Sequence, residues 1–386
     1  MDAESLNMRI GLGATRWAKG IETSSLDGIG HYTHELCVHL QRLHEQLKII
    51  PVVFGSTHLE ELDGASIARV PPYSASALWS VGSGSSFPRS NSLKKSIDIF
   101  HATDHFTPKL TGIPVVATLM DAIPMAHPQW ASQRARALKN WLWRKSARWA
   151  DHVITISDYS KHEIMHWFDL PEQKISVIPL GVDARYFHRL DQHVTDHPTN
   201  LPDIPERFFL FVGTLQPRKN IERIIDAHQK LPASIRKDIP LLLVGQPGFK
   251  SSTIIQRLGI YGTDSEVRWL RYVDDYCKRI LMQRSTAMVF PSLSEGFGLP
   301  VLEAFASQTP VITSNTSSLP EVAGDAAWLV NPLDVDAIAE AMMTIAQEES
   351  VRQKLISKGL KRAQTFSWER CSAQTVAVYA HTLKYC

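Results

Sequence analysis

The sequence is poor in cysteine, carries almost no net charge and contains no long apolar run. Its 386 residues include four cysteines, with no Cys-x-x-Cys pair and no histidine cluster at zinc spacing, which argues against a disulfide framework or a structural metal. The formal net charge of +2 is far below that of dedicated nucleic-acid binders. No stretch approaches the roughly 18 apolar residues of a spanning helix, and the first residues lack a signal-peptide pattern. We therefore expect a cytoplasmic protein with no nucleic-acid partner.

What the sequence does contain is an average globular composition and a repeated α/β pattern. Hydrophobic residues make up 44% and charged residues 21%, which is typical of globular domains. Short β-branched runs ending in Gly, Ser or Pro alternate with helical stretches, as in parallel strands joined by crossover helices. The sequence predicts an α/β protein with two doubly wound domains.

Predicted strands and helices fall in both halves of the chain. The strands lie near 8–12, 48–54, 97–101, 115–120, 152–157, 174–179, 208–213, 240–245, 267–270, 287–290, 310–313 and 327–330. Helices of the second half lie near 221–231, 274–284, 300–307 and 334–348. The domains are 1–190 and 207–364, joined by a polar, Pro-containing linker at 191–206. Residues 73–96 are rich in Ser and Gly and are expected to form a mobile surface loop, or alternatively a lid over a cleft.

An acidic loop follows one predicted strand of the second half. Glu295 lies in a strand-to-helix loop, and Pro300 favours the start of a helix that contains Glu303. Amides at a helix N-terminus bind anionic phosphate, and Glu303 would be close enough to accept hydrogen bonds from ribose-type hydroxyls. Each carboxylate also has a structural interpretation, because acids near a helix N-terminus are stabilised by its dipole.

A basic turn follows another strand of the same half. The strand ends at Gly213, and Arg218 and Lys219 precede the next helix. Two cations at the carboxyl end of a parallel strand suit a diphosphate, since ligands bind at that edge of open α/β sheets; a solvated basic turn is the alternative. The acidic loop and the basic turn together favour a nucleoside diphosphate-sugar site.

The first half carries a weaker phosphate signal. Gly28 and Gly30 form a glycine turn before a helical stretch. Gly11 and Gly13 lack the third glycine of a dinucleotide fingerprint, because Arg16 occupies the matching position. A dehydrogenase therefore has little support.

Several runs together resemble glycosyltransferase family 4. They are GTLQPRKN at 213–220, PSLSEGFGLPVLEAFASQTPVITSNTSSLPEVAGDAAWLVNP at 291–332, and VITISDYSKHEI and ISVIPLGVD within 153–183. The spacing of Glu295 and Glu303 matches the family's signature. The resemblance spans nearly the whole chain and implies a retaining transferase of the GT-B type. Such an enzyme has two facing Rossmann-like domains, an inter-domain cleft, and a C-terminal helix, here 365–386, that crosses back to the first domain.

The resemblance implies a role for each matching residue of the second domain. Arg218 and Lys219 would hold the diphosphate and stabilise the leaving nucleotide, and Glu303 would bind the ribose. Glu295 would hold the donor sugar. It would be assisted by the amides of four consecutive residues, Gly296, Phe297, Gly298 and Leu299.

Further donor contacts are implied elsewhere in the chain. Gly28 and Gly30 would approach the phosphates from the first domain, and Tyr272 and Val273 would lie along the base. Ser157 resembles a cleft residue of the family, and it fits equally well the N-cap of the following helix.

One position departs from the family pattern. After the strand near 115–119 many members have His-Asp, with the His beside the donor sugar, whereas this chain has Met120-Asp121. Asp121 is therefore a candidate catalytic residue, in addition to Arg218, Lys219 and Glu295. Alternatives for the missing imidazole are His101, His105 and His127, and each of these residues also fits a loop residue or a satisfied core histidine.

The expected chemistry follows from the charge that develops as the nucleotide leaves. Negative charge grows on the leaving phosphate, so preorganised cations and amides lower the barrier most. The resemblance implies no metal held by an Asp-x-Asp motif, and Asp274-Asp275 fits a helix start better. We expect no metal or other cofactor and no covalent enzyme nucleophile, with the acceptor attacking on the face from which the leaving group departs.

A basic aromatic segment covers residues 131–150. It contains six cations and no acid, interleaved with Trp141, Trp143 and Trp149. A helix of this kind can lie on anionic lipid headgroups, which would suit a lipid-linked acceptor at the inner face of a membrane. The alternative is a helix that packs its Trp face on the sheet while its cations are solvated.

The predicted function is a retaining hexosyltransferase of polysaccharide or lipopolysaccharide biosynthesis. Mannose from GDP-mannose is the favoured donor, by overall resemblance, and the acceptor is a glycan or lipid-linked glycan. A UDP-hexose-dependent transferase is the direct rival, and a nucleotide-sugar epimerase or a phosphorylase would share the fold. The missing His also leaves open a catalytically inactive sugar-nucleotide-binding subunit, which donor turnover would distinguish.

Overall fold

The computed structural model describes residues 8–44, 46–88, 90–131, 135–190, 204–262 and 265–385. These residues divide into two compact units. The first contains the described residues within 1–126, 133–181 and 368–386, and the second those within 127–132 and 182–367. The chain enters the second unit at Val182, ahead of the predicted linker, most of which (191–203) lies outside the described residues.

The first unit is built on a parallel sheet. Its strands are β1 (Met8–Gly13), β2 (Leu47–Phe54), a hairpin of β3 (Glu61–Leu62) and β4 (Ala65–Ser66), then β5 (Ala68–Val70), β6 (Ile99–Ala102), β7 (Val115–Thr118), β8 (His152–Thr155) and β9 (Ile175–Val177). Seven of them form one sheet in the order β5-β2-β1-β6-β7-β8-β9, with parallel pairing throughout. The order reverses between β1 and β6.

Helices cover this sheet, and they include a segment that the sequence analysis assigned to a loop. The helices are α1 (Thr15–Glu22), α2 (Gly28–Leu43), α3 (Tyr73–Ser83), α4 (Asn91–Lys94), α5 (Ile123–Ala126), α6 (Arg136–Ala147) and α7 (Asp158–Phe168). The predicted mobile loop or lid over 73–96 is wrong, because α3 and α4 occupy it. The Tyr73 ring lies 4.7 Å from Phe106 and 5.5 Å from Phe54, so buried aromatic packing orders a segment of permissive composition.

The second unit carries a second parallel sheet. Its strands are β10 (Phe209–Val212), β11 (Leu241–Val244), β12 (Val267–Trp269), β13 (Ala287–Phe290), β14 (Val311–Ser314) and β15 (Trp328–Val330). Their order, β12-β11-β10-β13-β14-β15, is that of nucleotide-binding α/β folds, with the reversal between β10 and β13. The predicted strands of both halves and the α/β class are confirmed, since near-continuous apolar runs mark strands buried on both faces.

The helices of the second unit alternate with its strands. They are α8 (Ile221–Lys230), α9 (Ala233–Asp238), α10 (Ser252–Leu258), α11 (Asp275–Arg284), α12 (Leu299–Ala306), α13 (Leu319–Ala323), α14 (Val335–Gln347) and α15 (Glu349–Ala363). The four helices predicted for this half are confirmed within a residue or two at each end, which is the usual uncertainty of a helix boundary.

The chain then returns to the first unit as α16 (Trp368–Tyr385). Trp368 and Tyr379 are buried in this helix. The Tyr379 hydroxyl lies 2.6 Å from Nδ1 of His101 in β6, and the Trp368 ring packs beside Tyr32 of α2. The last helix therefore completes the core of the first unit.

Candidate active site

The acidic loop and the basic turn meet at the carboxyl edge of the second sheet. They follow β13 and β10, which are neighbours at the point where the strand order reverses, and this is where open α/β sheets bind their ligands. The basic turn contains a short 3-10 helix at Pro217–Lys219. The amide of Leu293 donates to the carbonyl of Arg218 at 2.9 Å. Two motifs from separate parts of the sequence thus form one structure.

Glu295 joins the two predicted cations in a triad in which Lys219 and Glu295 are buried and Arg218 is partly buried. Arg218 Nη1 donates to Glu295 Oε2 at 2.6 Å, and Lys219 Nζ donates to Oε1 at 2.7 Å. Arg218 Nη1 also donates to the carbonyl of Ser294 at 2.5 Å. The Lys219 ammonium lies 4.8 Å from the centre of the Phe290 ring, in a favourable cation–π position. The predicted catalytic residues of this unit are therefore brought together.

The electrostatics of the triad keep Glu295 ionised. Burial acts to raise the pKa of Glu295, but Arg218 and Lys219 outweigh it and lower this pKa to about 2. Burial lowers the pKa of Lys219, and Glu295 opposes this shift. Two cations against one carboxylate leave the triad with an excess positive charge beside the loop, which suits an anionic ligand.

Backbone contacts fix both loops. Asn220 adopts a left-handed conformation with φ +62°, and its side-chain amide donates to the carbonyls of Pro291 at 2.9 Å and Pro332 at 2.7 Å. The Ser318 hydroxyl donates to the carbonyls of Glu295 at 3.0 Å and Phe297 at 2.8 Å. These contacts hold the triad in place before any ligand binds. The sequence analysis did not identify Ser318.

The predicted amide run from Gly296 to Leu299 leads directly into α12. Gly298 precedes this helix with φ +107°, a conformation that favours glycine, and a Cβ there would lie 2.6 Å from Cδ2 of Leu319. The Phe297 ring is buried against Phe366, so Phe297 also packs the core. The contribution of these amides to donor binding stays a prediction.

The second carboxylate belongs to a separate cluster that sequence reasoning missed. Lys278 Nζ donates to Glu303 Oε1 at 3.2 Å and lies 3.5 Å from Asp275 Oδ1. The Tyr186 hydroxyl donates to the same Asp275 oxygen at 3.2 Å. Burial acts to lower the pKa of Lys278, but the Glu303 and Asp275 carboxylates outweigh it and raise this pKa. The sequence did carry a signal for this cluster. Lys278 comes four residues after the predicted helix start at Asp274, which places it on the first turn of α11.

The two residues predicted along the base lie at the edge of the sheet. Tyr272 and Val273 follow β12. In the sheet, β12 lies two strand spacings, or about 10 Å, from β10. The Tyr272 side chain is 62% exposed. Backbone contacts link this edge to the basic turn, because the Gly245 amide donates to the Arg271 carbonyl at 2.7 Å and a Cβ on Gly245 would lie 1.9 Å from the Gly213 oxygen. Their role beside a base stays a prediction.

The two predicted glycines of the first unit differ in their surroundings. Gly28 begins α2 and has open space where a Cβ would be. Gly30 is buried, and a Cβ there would lie 2.7 Å from Cδ1 of Leu26. The Asp27 side chain caps the helix by accepting from the Gly30 amide at 2.8 Å. Gly30 therefore permits close packing, and phosphate contact by either glycine stays a prediction.

Asp121 and Ser157 each accept a backbone hydrogen bond at the start of a helix in the first unit, and only Ser157 stands at the N-cap position. Asp121 Oδ1 accepts from the Ile123 amide at 3.0 Å at the start of α5. Ser157 Oγ accepts from the Ser160 amide at 3.0 Å, which confirms the N-cap interpretation of Ser157. Their contact with substrate stays a prediction.

The three candidate histidines have different environments. His101 is fully buried between the Tyr379 hydroxyl and the Thr118 hydroxyl, 2.7 Å from its Nε2, and burial lowers its pKa to about 3. It is a satisfied core histidine. His127 belongs to the second unit and packs on Trp130. His105 follows β6 directly and is also buried.

The described residues contain neither a metal-binding cluster nor a membrane-spanning helix. Across these ranges no three His, Cys, Asp or Glu side chains are grouped so that they could hold a metal ion. Within the same ranges no helix has both the length and the apolar character needed to span a bilayer.

Comparison with known proteins gives two family matches and several relatives. Residues 26–186 match Glycosyltransferase Family 4, and residues 195–362 match Glycosyl transferases group 1. O-antigen chain mannosyltransferase B of Escherichia coli is 32% identical over 77% of this chain and 73% of its own length. The MMP alpha-(1->4)-mannosyltransferase of Mycolicibacterium hassiacum is 29% identical over 69% of this chain and 65% of its own length.

A solved structure agrees with these matches at the level of the fold. Sucrose-phosphate synthase from Thermosynechococcus elongatus superimposes with a TM-score of 0.75 and 20% identity, covering 98% of this chain and all of the other. The chain belongs to glycosyltransferase family 4, and it is a glycosyltransferase with two Rossmann-like domains of the GT-B type.

Proposed function

We propose that this enzyme is a retaining, metal-independent hexosyltransferase that transfers mannose from GDP-mannose to a glycan or lipid-linked glycan acceptor. Its place is in the synthesis of a polysaccharide or lipopolysaccharide. The choice of sugar and pathway is supported by relatives named as an O-antigen chain mannosyltransferase and as other mannosyltransferases.

The observation that carries the proposal is the Arg218–Lys219–Glu295 triad. It is largely shielded from solvent, preorganised and net positive at the switch point of the second sheet. When the bond to the anomeric carbon breaks, negative charge develops on the diphosphate, and Arg218 and Lys219 stabilise it without reorganising. Glu295 orients both cations and remains ionised near the developing positive charge of the sugar.

The same triad provides the reason for expecting metal independence. Arg218 and Lys219 supply two positive charges where a divalent cation would otherwise balance a diphosphate. Turnover should stay within about twofold in excess EDTA. Loss of turnover in EDTA that Mg²⁺ or Mn²⁺ restores would contradict this part of the proposal.

The first experiment measures nucleoside diphosphate release from a panel of GDP- and UDP-sugars, with and without a membrane lipid extract as acceptor. Wild type is compared with Lys219→Ala and Glu295→Ala. The control is Lys230→Ala, because Lys230 lies at the end of α8 and forms an ion pair with the exposed Asp336. Release from GDP-mannose that only the two site variants abolish supports the proposal. If only a UDP-hexose gives release, the proposed donor GDP-mannose is wrong. If no donor gives release, the proposal that this protein catalyses sugar transfer is contradicted.

Retention is tested separately on the product. Proton NMR of the new linkage shows an α-anomer if the configuration of GDP-α-mannose is retained. A β-linked product would show inversion and contradict the proposed reaction course.

The proposal includes peripheral membrane contact through the 131–150 segment. In α6, Leu138 and Trp141 are exposed, while Leu142 and Trp143 pack against the core of the first unit, as the alternative interpretation predicted for part of the helix. The exposed pair lies among cations of the same helix. Co-sedimentation with vesicles containing anionic phosphatidylglycerol, which Trp141→Ser reduces, supports this contact, and equal binding to neutral vesicles contradicts it.

A further inference from the structure

The segment through which the chain enters the second unit contacts the helix of the predicted ribose ligand. Residues 182–190, the entry segment, begin the second unit at Val182 and contain a short 3-10 helix at Ala184–Phe187. This turn packs against α12, the helix that contains Glu303. Tyr186 is buried in the turn, with 2% of its surface exposed. A buried aromatic side chain therefore connects the entry segment to the Glu303 cluster.

The hydroxyl end of Tyr186 lies among the charges that surround Glu303. This hydroxyl donates to Asp275 Oδ1 at 3.2 Å, and the Lys278 ammonium lies 5.2 Å from the centre of the Tyr186 ring. Lys278 Nζ in turn donates to Glu303 Oε1 at 3.2 Å and lies 3.5 Å from the same Asp275 oxygen. Burial raises the pKa of Tyr186, and the Glu303 and Asp275 carboxylates add to this shift. The hydroxyl therefore stays protonated and acts as a donor to the cluster.

The members of this cluster differ in how far the surrounding protein restrains them. The side chain of Glu303 is 10% exposed and that of Lys278 is 24% exposed, whereas that of Asp275 is 43% exposed. Long or exposed side chains give up rotamer freedom when they are fixed in one orientation. The buried Tyr186 hydroxyl holds the most exposed of the three, and Asp275 then gives the Lys278 ammonium a fixed second acceptor.

Two side chains of α11 fasten the entry segment to this helix. Arg279 Nη2 donates to the Arg185 carbonyl at 2.7 Å, and Gln283 Nε2 donates to the His188 carbonyl at 2.8 Å. The Leu190 amide donates to Gln283 Oε1 at 3.0 Å. The backbone of the entry segment is thus fixed to the same helix that carries the aspartate and the lysine of the cluster, which keeps the buried tyrosine in place.

A carboxylate that binds ribose hydroxyls needs a fixed orientation, because hydrogen bonds weaken steeply when they are misaligned. Lys278 engages one oxygen of Glu303, and a carboxylate has further acceptor sites on its other oxygen. We propose that Tyr186 is a positioning residue, which orients Glu303 towards the ribose of the nucleotide. It acts through Asp275 and Lys278. The inference rests on the proposed function for the presence of a nucleotide, but GDP and UDP share the ribose, so it does not depend on the base or on the sugar.

The coupling between the entry segment and the ribose must act in both directions. If the entry segment strengthens ribose binding, ribose binding stabilises the entry segment by the same factor. A nucleotide with ribose hydroxyls should therefore slow amide hydrogen exchange in residues 184–190 more than a nucleotide that lacks them. The segment that joins the two units is in this way part of the nucleotide site.

The test compares wild type with Tyr186→Phe in the full-length protein. Each is titrated by calorimetry with GDP and with 2′,3′-dideoxy-GDP. Loss of one hydrogen bond should weaken GDP binding about fivefold, whereas dideoxy-GDP, which has no ribose hydroxyls, should bind within about twofold of wild type. A merely structural role would weaken the binding of both nucleotides equally. That result, or a wild type that binds both nucleotides equally, overturns the inference.

Two further variants isolate the hydroxyl group. Tyr261→Phe removes a tyrosine hydroxyl beside Arg257 in the same unit and should leave both affinities unchanged. In a Glu303→Gln background, Tyr186→Phe should weaken GDP binding by less than about twofold, because its effect passes through Glu303. An undiminished loss in that background contradicts the inference. In turnover, Tyr186→Phe should raise KM for the nucleotide-sugar and leave kcat unchanged, as expected when ground-state and transition-state binding weaken equally.

A measurement on the wild-type protein keeps the inference testable even if Tyr186→Phe fails to fold. Amide hydrogen exchange in residues 184–190 is followed with each nucleotide at saturation. Slower exchange with GDP than with dideoxy-GDP supports the inference, and equal exchange with both overturns it.

Failure of the proposed function gives a different result. Absence of nucleoside diphosphate release from every donor would refute sugar transfer, while the titrations, which do not depend on turnover, still decide the role of Tyr186. If GDP does not bind, GDP-mannose is refuted as the donor, and the same titrations with UDP and dideoxy-UDP decide the inference.

Discussion

The two sheets place ionisable residues at the same topological position but satisfy them differently. At the reversal point of the second sheet, every charge of the Arg218–Lys219–Glu295 triad is paired at 2.6 to 2.7 Å. At the reversal point of the first sheet, Asp104 and His105 are buried, and within the described residues Asp104 Oδ2 and His105 Nδ1 have no hydrogen-bond partner. The paired cluster holds its two cations in place beside the diphosphate of the proposed function. The other pair of side chains has no comparable set of internal partners among the described residues.

The largest expected effect is on the stability of the paired cluster. Glu295→Gln leaves the buried Lys219 and the partly buried Arg218 without their carboxylate, so the free energy of unfolding of the second unit should fall by about 3–5 kcal/mol at pH 7. Hydrogen exchange of the β10 and β13 amides in denaturant measures it. Glu266→Gln is the control, because its ion pair with Arg236 is partly exposed, and an equal loss in both variants would contradict the prediction.

The stability difference between wild type and Glu295→Gln should depend on pH. The pKa of Glu295 is about 2 in the folded chain against an ordinary 4.5, so its contribution to stability is present above pH 4.5 and is lost as the pH falls towards 2. That contribution is about 3 kcal/mol. The stability difference between wild type and Glu295→Gln should therefore shrink over this range. A difference that is constant with pH would show that Glu295 is not held ionised.

The next largest effect is on turnover. Lys219→Ala removes a buried cation from the position where charge develops, and kcat for nucleoside diphosphate release should fall by about 10² to 10³. Steady-state kinetics with GDP-mannose as donor measure this fall in kcat. Lys219→Ala turnover above a tenth of the wild-type rate would place the chemistry elsewhere.

Removal of charge should stabilise the unpaired cluster. The pKa of Asp104 is about 6 in the folded chain against 3.8 ordinarily, so its stabilising contribution is full below pH 3.8 and is lost as the pH rises through 6. Asp104→Asn should therefore raise the free energy of unfolding of the first unit at pH 7 by up to about 3 kcal/mol. Thermal unfolding and β6 hydrogen exchange measure this, with Asp98→Asn as control. A less stable variant would mean that the backbone hydrogen bonds accepted by the Asp104 carboxylate outweigh the cost of burying its charge.

The smallest effect concerns the second carboxylate. Lys278→Met leaves Glu303 without its ammonium partner. Glu303, which is predicted to bind the ribose, then loses its orientation, and the affinity for GDP should fall about fivefold. Calorimetric titration with GDP measures it, and Lys230→Met serves as the control. Unchanged affinity would separate Glu303 from nucleotide binding.

The strands were predictable because each is a short apolar run bounded by Gly, Ser or Pro, and the chemistry at their ends followed from local motifs. The triad required only that β10 and β13 be neighbours, as this class of sheet implies. Helix α3 was not predictable from its own composition, because the aromatic partners that order it, Phe54 and Phe106, lie elsewhere in the sequence.

Two features of the candidate sites depended on tertiary structure. Tyr186, Asp275 and Glu303 come from three separate segments, and only the fold brings them to Lys278. His101 and His105 were equivalent candidates in the sequence. His101 is buried between two hydroxyl groups, whereas Nδ1 of His105 has no hydrogen-bond partner in the part of the chain that the structure describes.

The return of α16 to the first unit also sets an order of events during synthesis. Trp368 and Tyr379 are needed to cover α2 and β6, yet they leave the ribosome only after all of the second unit has been made. The second unit can therefore finish folding first, although domains generally fold in the order of their synthesis. In the interval the first unit exposes the apolar surface that α16 later buries, and that stage is when the nascent chain most needs protection from aggregation.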